Sequence, residues 1–150
     1  MDPGDMKALD DIDTYGCHVI HVLEEEGKPP FAYSVGVQKS SGAAEVIVIG
    51  LKQPIAHFVV NEYNRLVREG ERFVAGSKSE EFLDGFSVQF CRVDKAYYEE
   101  YLGWNIWLYG GNTFETLQIV YPTTDGVWPW ESAASDWFRT WQPVLGNGAA

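Results

Sequence analysis

The stretch that decides the fold is residues 117–145, LQIVYPTTDGVWPWESAASDWFRTWQPVL, which holds four of the six tryptophans. Residues 117–121 form a short apolar run stopped by a proline, and this pattern predicts a buried strand. Residues 123–126 carry the Thr, Asp and Gly that are typical of a turn. Trp128 and Trp130 then flank a proline whose φ is fixed. Because a small domain rarely leaves so much aromatic surface in water, the stretch predicts a segment that closes over a sheet built upstream.

Length, composition and net charge predict that the chain is a single soluble domain. A length of 150 residues suits one domain with a sizeable core. The net charge of −11 is shared by both halves of the chain and argues against direct binding to nucleic acid or anionic membrane. Phosphate contacts need clustered Lys and Arg, whereas this chain has 22 acidic residues against 11 basic ones. Such an acidic surface instead serves solubility or attracts a basic partner.

Cysteine usage and the N-terminus indicate a reducing compartment. Cys17 and Cys91 lie on different predicted strands without Cys-x-x-Cys spacing. We expect two buried reduced thiols and neither a disulfide framework nor a zinc site. The acidic N-terminus has no apolar run, so a signal peptide is not expected, and no stretch approaches the length of a membrane span. The sequence therefore predicts a cytoplasmic protein.

Hydrophobic periodicity predicts one α+β domain over residues 15–146, between a loose acidic N-terminus (1–14) and a C-terminal tail (147–150). The clearest helix covers 54–69, where apolar residues follow helical spacing between a proline in the first turn and Gly70. Further short helices are predicted over 6–12 and 95–102, and after Ser132, which can cap the last one. Predicted strands are 17–23, 31–37, 46–49, 73–75, 86–93 and 117–121. Loops are predicted at 38–42 and 76–85, and 103–112 fits either a helical turn or a loop.

These elements favour a mixed or mostly antiparallel central sheet packed by two or three helices. The order of several segments also resembles that of the bacterial family of domains of unknown function numbered 4262. The segments are FAYSVGV (31–37), EVIVIGL (45–51), VREGERFVAG (67–76), LQIVYPTTDGVWPWE (117–131) and QPVLG (142–146). Relatives often carry His-Pro where this chain has Ala43-Ala44, and Trp-Pro-Asp where it has residues 121–123. The resemblance implies a fold and a bacterial origin, and no known activity.

No complete catalytic motif is present. His18 and His21 differ by three positions on a predicted strand and point to opposite faces, so they do not chelate one metal together. His57 lies on the predicted helix 54–69, and all three histidines are expected to be hydrogen-bonded structural residues or, less simply, catalytic bases. Ser34 lacks the Gly-x-Ser-x-Gly setting of hydrolases, and no phosphate-binding loop precedes a helix. We therefore assign no catalytic residue, metal or cofactor.

Six residues are candidates for binding: Tyr33, Glu45, Gln118, Trp128, Trp130 and Gln142. A glutamate at a strand start and a glutamine inside an apolar strand must find hydrogen-bond partners if they are buried. Those partners are either the backbone amides of the protein or a ligand in a shared cleft. The Trp-Pro-Trp segment fits a cover over the core, a ligand pocket with stacked aromatics, or a protein-binding patch. The change Trp130→Ala separates these, because it should cost about 3–5 kcal/mol if the indole is core and far less if it is exposed.

The leading hypothesis is a small cytoplasmic binding protein, in its most specific form an immunity or antidote protein that neutralises a basic bacterial toxin. Size, charge and surplus aromatics favour this interpretation. The alternative, from another class, is a small-molecule-binding domain or enzyme with an aromatic-lined pocket near Glu45, Gln118 and Trp130. A homo-oligomer in which the aromatic patch meets its own copy is the third hypothesis.

Overall fold

A six-stranded mixed sheet organises the molecule. The computed structural model describes residues 2–146, so the predicted tail at 147–150 lies outside the described residues. The strand order is β1-β2-β3-β6-β5-β4. The strands are β1 (His18–Val22), β2 (Phe31–Val35), β3 (Glu45–Ile49), β4 (Lys78–Leu83), β5 (Phe86–Arg92) and β6 (Thr116–Val120). Only the central β3–β6 pair is parallel, so two antiparallel three-stranded halves meet at one parallel seam. The prediction of a single α+β domain with a mixed sheet is confirmed.

The described part of the chain has six α-helices, where the sequence predicts four helical segments and two or three that pack on the sheet. They are α1 (Pro3–Tyr15), α2 (Val37–Ser41), α3 (Gln53–Arg68), α4 (Tyr98–Tyr101), α5 (Gly103–Tyr109) and α6 (Asp136–Trp141), with a 3₁₀ turn at Lys95–Tyr97. The predicted helix 54–69 is confirmed as α3. Four of the others have seven residues or fewer, which is too short to leave a clear periodic signal. Within residues 2–146, no helix has the length and apolar character needed to cross a bilayer.

Each face of the sheet has its own core. On the first face, α3 packs its buried stripe, including Val59 and Tyr63, against residues such as Phe90. On the second face, Ile12 of α1 and residues of α4 and α5 pack against Tyr33 and other residues of the sheet. The sheet is therefore buried on both sides, which explains the continuous apolar run of β3.

Residues 3–15 form the helix α1, whereas the sequence predicts a loose segment over residues 1–14. The side chain of Asp2 accepts the amide of Asp5 at 2.9 Å, and Pro3 occupies the first turn, where its missing N–H costs nothing. Ala8 and Ile12 are buried against the rest of the protein. The predicted short helix at 6–12 is thus the middle of a longer one, since capping and tertiary contacts extend it to Tyr15.

Three other local predictions are wrong. Residues 73–75 are not a strand, and the strand β4 instead lies inside the predicted polar loop 76–85. The sequence pattern missed β4 because KSEEFL forms an exposed edge of the sheet and has few apolar residues. The predicted loop at 38–42 lies mostly in the short helix α2. The last helix is capped by Ser135, whose hydroxyl accepts the amide of Phe138 at 3.1 Å, and not by Ser132. The ambiguous region 103–112 begins as α5, which ends at Tyr109 with Gly110 as its C-cap.

Both cysteines are buried, as the sequence predicts. Burial raises the pKa of Cys17 to about 12 and the pKa of Cys91 to about 11. Neither side chain therefore carries appreciable thiolate at neutral pH, and nucleophilic chemistry at these positions is disfavoured.

Candidate functional site

Glu45, the strongest polar candidate, is fully buried at the start of β3. Its carboxylate accepts five hydrogen bonds: from Ser34 Oγ at 2.7 Å, from the backbone amides of Gly36, Val37 and Gln38 at 3.1 Å each, and from the hydroxyl of Tyr109. The three amides belong to the turn that opens α2, where backbone N–H groups have no partner within the helix. Glu45 therefore serves as the acceptor that α2 and α5 share.

The two hydroxyl groups at Glu45 have defined donor roles. Ser34 Oγ accepts the amide of Val46 at 3.0 Å, and the Tyr109 hydroxyl accepts the amide of Lys39 at 3.1 Å, so each directs its own hydrogen at the carboxylate. Burial raises the pKa of Glu45, and the hydrogen bonds from Tyr109 and Ser34 oppose that rise. Burial and the neighbouring Glu45 raise the pKa of Tyr109. The acceptor positions of the carboxylate are filled by the protein itself.

Tyr33 positions a neighbouring helix. Its hydroxyl accepts the amide of Trp104 in the first turn of α5 at 3.2 Å, and burial raises its pKa to about 12. Asn105 follows on the same helix, and its side-chain nitrogen donates to the carbonyl of Ser34 at 2.8 Å. These bonds fix α5 on the second face of the sheet, beside Tyr109.

Gln118 and Gln142 hold the C-terminal segment against β6. The side-chain nitrogen of Gln118 donates to the carbonyl of Pro143 at 2.9 Å, and its oxygen accepts the amide of Leu145 at 2.8 Å. Gln142 makes the same two-way contact with the backbone of Tyr121, at 3.0 and 2.8 Å. Each buried amide thus satisfies its own donor and acceptor with backbone groups of another segment.

Trp128 and Trp130 form a half-buried stacked pair, with ring centroids 5.3 Å apart and planes 8° from parallel. The ammonium of Lys78 on β4 lies 5.2 Å from the centre of the Trp128 ring. Arg139 donates to the carbonyl of Pro129 at 3.1 Å and so ties this turn to α6. The segment therefore contacts the edge strand β4 through Trp128, and both indoles stay partly exposed.

The six candidates therefore do not form one cleft. The pairing of Ile47 with Gln118 places Glu45 and Gln118 on the same face of the sheet, yet their polar groups reach different elements. The carboxylate contacts α2 and α5, whereas the amide contacts the C-terminal segment. Trp130 lies apart from both, stacked on Trp128 at the other end of the sheet. Glu45 finds three backbone amides and two hydroxyl groups of its own chain, and Gln118 and Gln142 find backbone groups.

Each of the three histidines has a polar partner that the sequence did not reveal. His18 Nδ1 lies 2.7 Å from the carboxylate of Asp11 on α1, and His21 Nε2 lies 2.9 Å from His57 Nδ1 on α3. A cavity of about 750 Å³ between α1, β1 and α3 is lined by His18, His57 and mostly polar or charged residues. These pairings join elements far apart in sequence, so no spacing pattern could have found them.

A second cavity, of about 830 Å³, is apolar, and we call it the apolar groove. It lies between the first turns of α3, the β4–β5 hairpin, the segment after β6 and α6. Three of its lining side chains are large and exposed: Ile55 (43 %), Phe58 (53 %) and Trp137 (65 %). Its other lining residues include the buried Phe82, Tyr121 and Phe138, together with Leu51, Pro54, Leu83, Asp84, Phe86, Pro122, Thr123 and Thr124.

Aromatic contacts hold one wall of the apolar groove in place. The indole of Trp137 stacks on Trp141, with centroids 5.7 Å apart and planes 12° from parallel. Trp141 Nε1 donates to the carbonyl of Gly50 at 2.9 Å, and the Tyr121 hydroxyl donates to the carbonyl of Ile49 at 2.9 Å. A Cβ at Gly50 would lie 2.5 Å from the Tyr121 hydroxyl oxygen, so only glycine permits this approach.

Ile55 and Phe58 are apolar residues of α3 that lie outside its buried stripe. The buried stripe of α3 runs through Ala56, Val59, Val60, Tyr63, Leu66 and Val67. Ile55 and Phe58 sit one position to the side of it and face the apolar groove. The helix has more apolar residues than one buried stripe needs, and this surplus is the signal that could have identified a second apolar surface.

Comparison with known proteins gives one family and no characterised relative. None of the curated proteins and none of the solved structures compared with the chain matches it. One family model, described as a domain of unknown function (DUF4262), matches residues 11–135. The matched range contains all six strands, Glu45 and α3, and it stops one residue before α6. Since it covers well over half of the 150 residues, the chain belongs to the DUF4262 family.

Proposed function

We propose that this protein is a small cytoplasmic binding protein that holds a basic protein partner in its apolar groove. The observation that carries the proposal is the convergence of Ile55, Phe58 and Trp137, all large and exposed, on one groove. Exposed apolar residues scattered singly are ordinary in monomeric proteins. A contiguous apolar surface of this kind marks an interaction site.

The apolar groove is prepared for binding before a partner arrives. Trp137 is already stacked on Trp141, which is hydrogen-bonded to Gly50, so little side-chain freedom remains to be lost on association. Ile55 and Phe58 project from a 16-residue helix whose other face is packed in the core. Tryptophan is also the residue type most enriched where binding energy concentrates at interfaces.

Charge indicates the chemistry of the partner. The chain carries a net charge of −11, and Asp84 lines the apolar groove. The carboxylate of Asp136, next to Trp137, is fully exposed, although Arg139 lies 3.8 Å from it. A partner segment with one or two apolar anchors flanked by Lys or Arg would fill the groove and satisfy this acidic surface. Long-range attraction would also speed its association.

The most specific form of the proposal is an antidote that occludes a basic bacterial toxin. Small size, acidic charge and a preformed aromatic groove support it, and the polar candidates Glu45, Gln118 and Gln142 are occupied by structural hydrogen bonds. Co-expression with the product of the adjacent open reading frame tests this form. We expect growth inhibition by that product, relieved by the wild-type chain and not by a Phe58→Ser/Trp137→Ser variant. A toxin that the double variant neutralises equally well would contradict the groove as the binding surface.

A peptide selection tests the wider proposal without a known partner. A random 12-residue library would be selected on the wild-type protein and counter-selected on Phe58→Ser/Trp137→Ser. We expect the enriched peptides to carry apolar anchors beside Lys or Arg, and to bind the double variant at least about tenfold more weakly. Leu23→Ser is the matched control, because Leu23 is 68 % exposed and does not line the groove. Peptides without basic residues, or equal binding to the double variant, would overturn the proposal.

The small-molecule alternative is tested by native mass spectrometry of protein purified without denaturation. A cavity of about 830 Å³ falls within the size range of ligand sites, so a bound compound is a definite alternative for the same groove. An added mass of a few hundred daltons that disappears in Phe58→Ser would favour it over a protein partner. Within the described residues, no cavity reported above brings Glu45, Gln118 and Trp130 together to support the pocket expected from sequence.

A further inference from the structure

We propose that His21 and His57 form a surface binding site for a divalent transition-metal ion of the Ni²⁺ or Cu²⁺ type. His21 lies on the edge strand β1, and His57 lies in the second turn of α3. The Nε2 atom of His21 and the Nδ1 atom of His57 are 2.9 Å apart. The ion would connect two elements that are separated by 36 positions in the sequence. This inference does not depend on the partner proposed for the apolar groove.

The distance between the two nitrogen atoms matches that between adjacent ligands of a right-angled coordination site. Imidazole nitrogen binds such metals at about 2.0–2.1 Å, so two ligands at a right angle lie about 2.9 Å apart. That value equals the separation in the structure. Tetrahedral ligands would need about 3.3–3.4 Å by the same geometry. Adjacent positions of a square-planar or tetragonal site are the arrangement that Cu²⁺ and Ni²⁺ prefer with nitrogen ligands.

The surroundings leave the site open to solvent. His57 is exposed and His21 is partly exposed, and their rings stack with centroids 5.1 Å apart. Among residues 2–146, no cluster of three or more His, Cys, Asp or Glu side chains is placed to hold a metal ion. Water would therefore complete the coordination. His18 lies on the opposite face of β1 and is engaged by Asp11, so it does not join the site.

Neutral imidazoles are required, because a protonated ring nitrogen has no lone pair for a metal. On binding, the ring that donates the shared hydrogen bond would carry its proton on its other nitrogen, which frees both facing nitrogen atoms for the ion. The core would not be disturbed, since both side chains lie at the surface. Because the folded protein alone holds the two rings together, bound metal should also stabilise the fold.

Titration of the untagged protein with Ni²⁺ at pH 7.5, followed by calorimetry and by thermal unfolding, tests the inference. We expect one ion per chain and a rise in melting temperature with Ni²⁺ concentration. His21→Ala and His57→Ala should each weaken binding at least about tenfold and abolish the rise, because one imidazole remains. His18→Ala is the matched control and should keep the wild-type affinity.

Each other outcome counts against the site. Absence of Ni²⁺ binding by the wild type would show that the pair is only a hydrogen bond between two rings. Wild-type affinity in His57→Ala, or its loss in His18→Ala, would place the ion elsewhere. Melting temperatures measured without metal show whether each variant is folded, so a loss of binding is not confused with unfolding.

Discussion

The buried start of β3 and the apolar groove differ in whether their side chains find partners within the protein. At Glu45, a charged group with no exposure accepts five hydrogen bonds from its own chain. In the groove, Phe58 and Trp137 remain 53 % and 65 % exposed. The polar groups of the first region are all hydrogen-bonded within the isolated protein, whereas the second region leaves apolar surface exposed. The proposed binding function therefore rests on the exposed apolar groups and not on the buried polar ones.

The contrast reverses a common inference about buried carboxylates. A strongly buried glutamate beside a tyrosine suggests an acid or base poised for catalysis. Here the neighbours are donors whose other contacts are already assigned, and no cavity described above opens onto the carboxylate. The same burial that raises the pKa of Glu45 also keeps substrates away from it.

The largest expected effect on stability comes from Glu45→Gln, which disrupts the hydrogen bonds at the start of β3. The amide nitrogen would face N–H or O–H donors that now meet a carboxylate oxygen. We expect the free energy of unfolding to fall by about 3–5 kcal/mol at neutral pH, measured by urea denaturation. Glu115→Gln is the control, because its carboxylate is half exposed and makes only long ion pairs, and it should change stability by less than about 0.5 kcal/mol. A small effect of Glu45→Gln would show that the folded protein holds this side chain protonated.

Trp130→Ala tests a side chain whose burial lies between that of the core and that of the exposed groove residues. The indole is half-buried and its main aromatic contact is the stacked Trp128, so neither the core value nor the exposed value predicted from sequence applies. We expect a loss of about 1–2 kcal/mol, from one aromatic pair and partial burial. Thermal and urea unfolding of the variant measure it. A loss above about 3 kcal/mol would place Trp130 in the core after all.

Phe58→Ser should have the smallest effect on stability. The side chain is 53 % exposed and lies beside the buried stripe of α3, so we expect a change within about 0.5 kcal/mol. The same variant should lose binding of the peptides selected on the wild type. A loss of about 2 kcal/mol or more in its unfolding free energy would show that Phe58 belongs to the core, and the contrast between the two regions would fail there.

The sequence predicts elements well where one residue pattern decides them. The helix α3 and the strand β3 follow from apolar periodicity and from a β-branched run, and both are confirmed. The strand β4 was missed because an edge strand buries little, and α1 was underestimated because its stability depends on Asp2 and on contacts of Ile12 with distant residues. Local pattern carries no information about such contacts.

The functional surfaces were the hardest to predict for the same reason. The sequence indicated that Glu45, Gln118 and Gln142 need partners if buried, but not which elements supply them. The pairing of His21 with His57 and the meeting of Phe58 with Trp137 depend on how distant elements pack. Each becomes visible only once the order of strands in the sheet is known.

The parallel seam between β3 and β6 has a consequence for how the chain folds. Each half of the sheet is built from strands that follow one another in sequence, so each can form early. The seam instead joins Val46 to Leu117 and requires closure of a long intervening chain. Since non-local pairing slows folding, seam formation is the step expected to set the rate. Substitutions at the seam should then slow folding, whereas those confined to the peripheral hairpins should mainly accelerate unfolding.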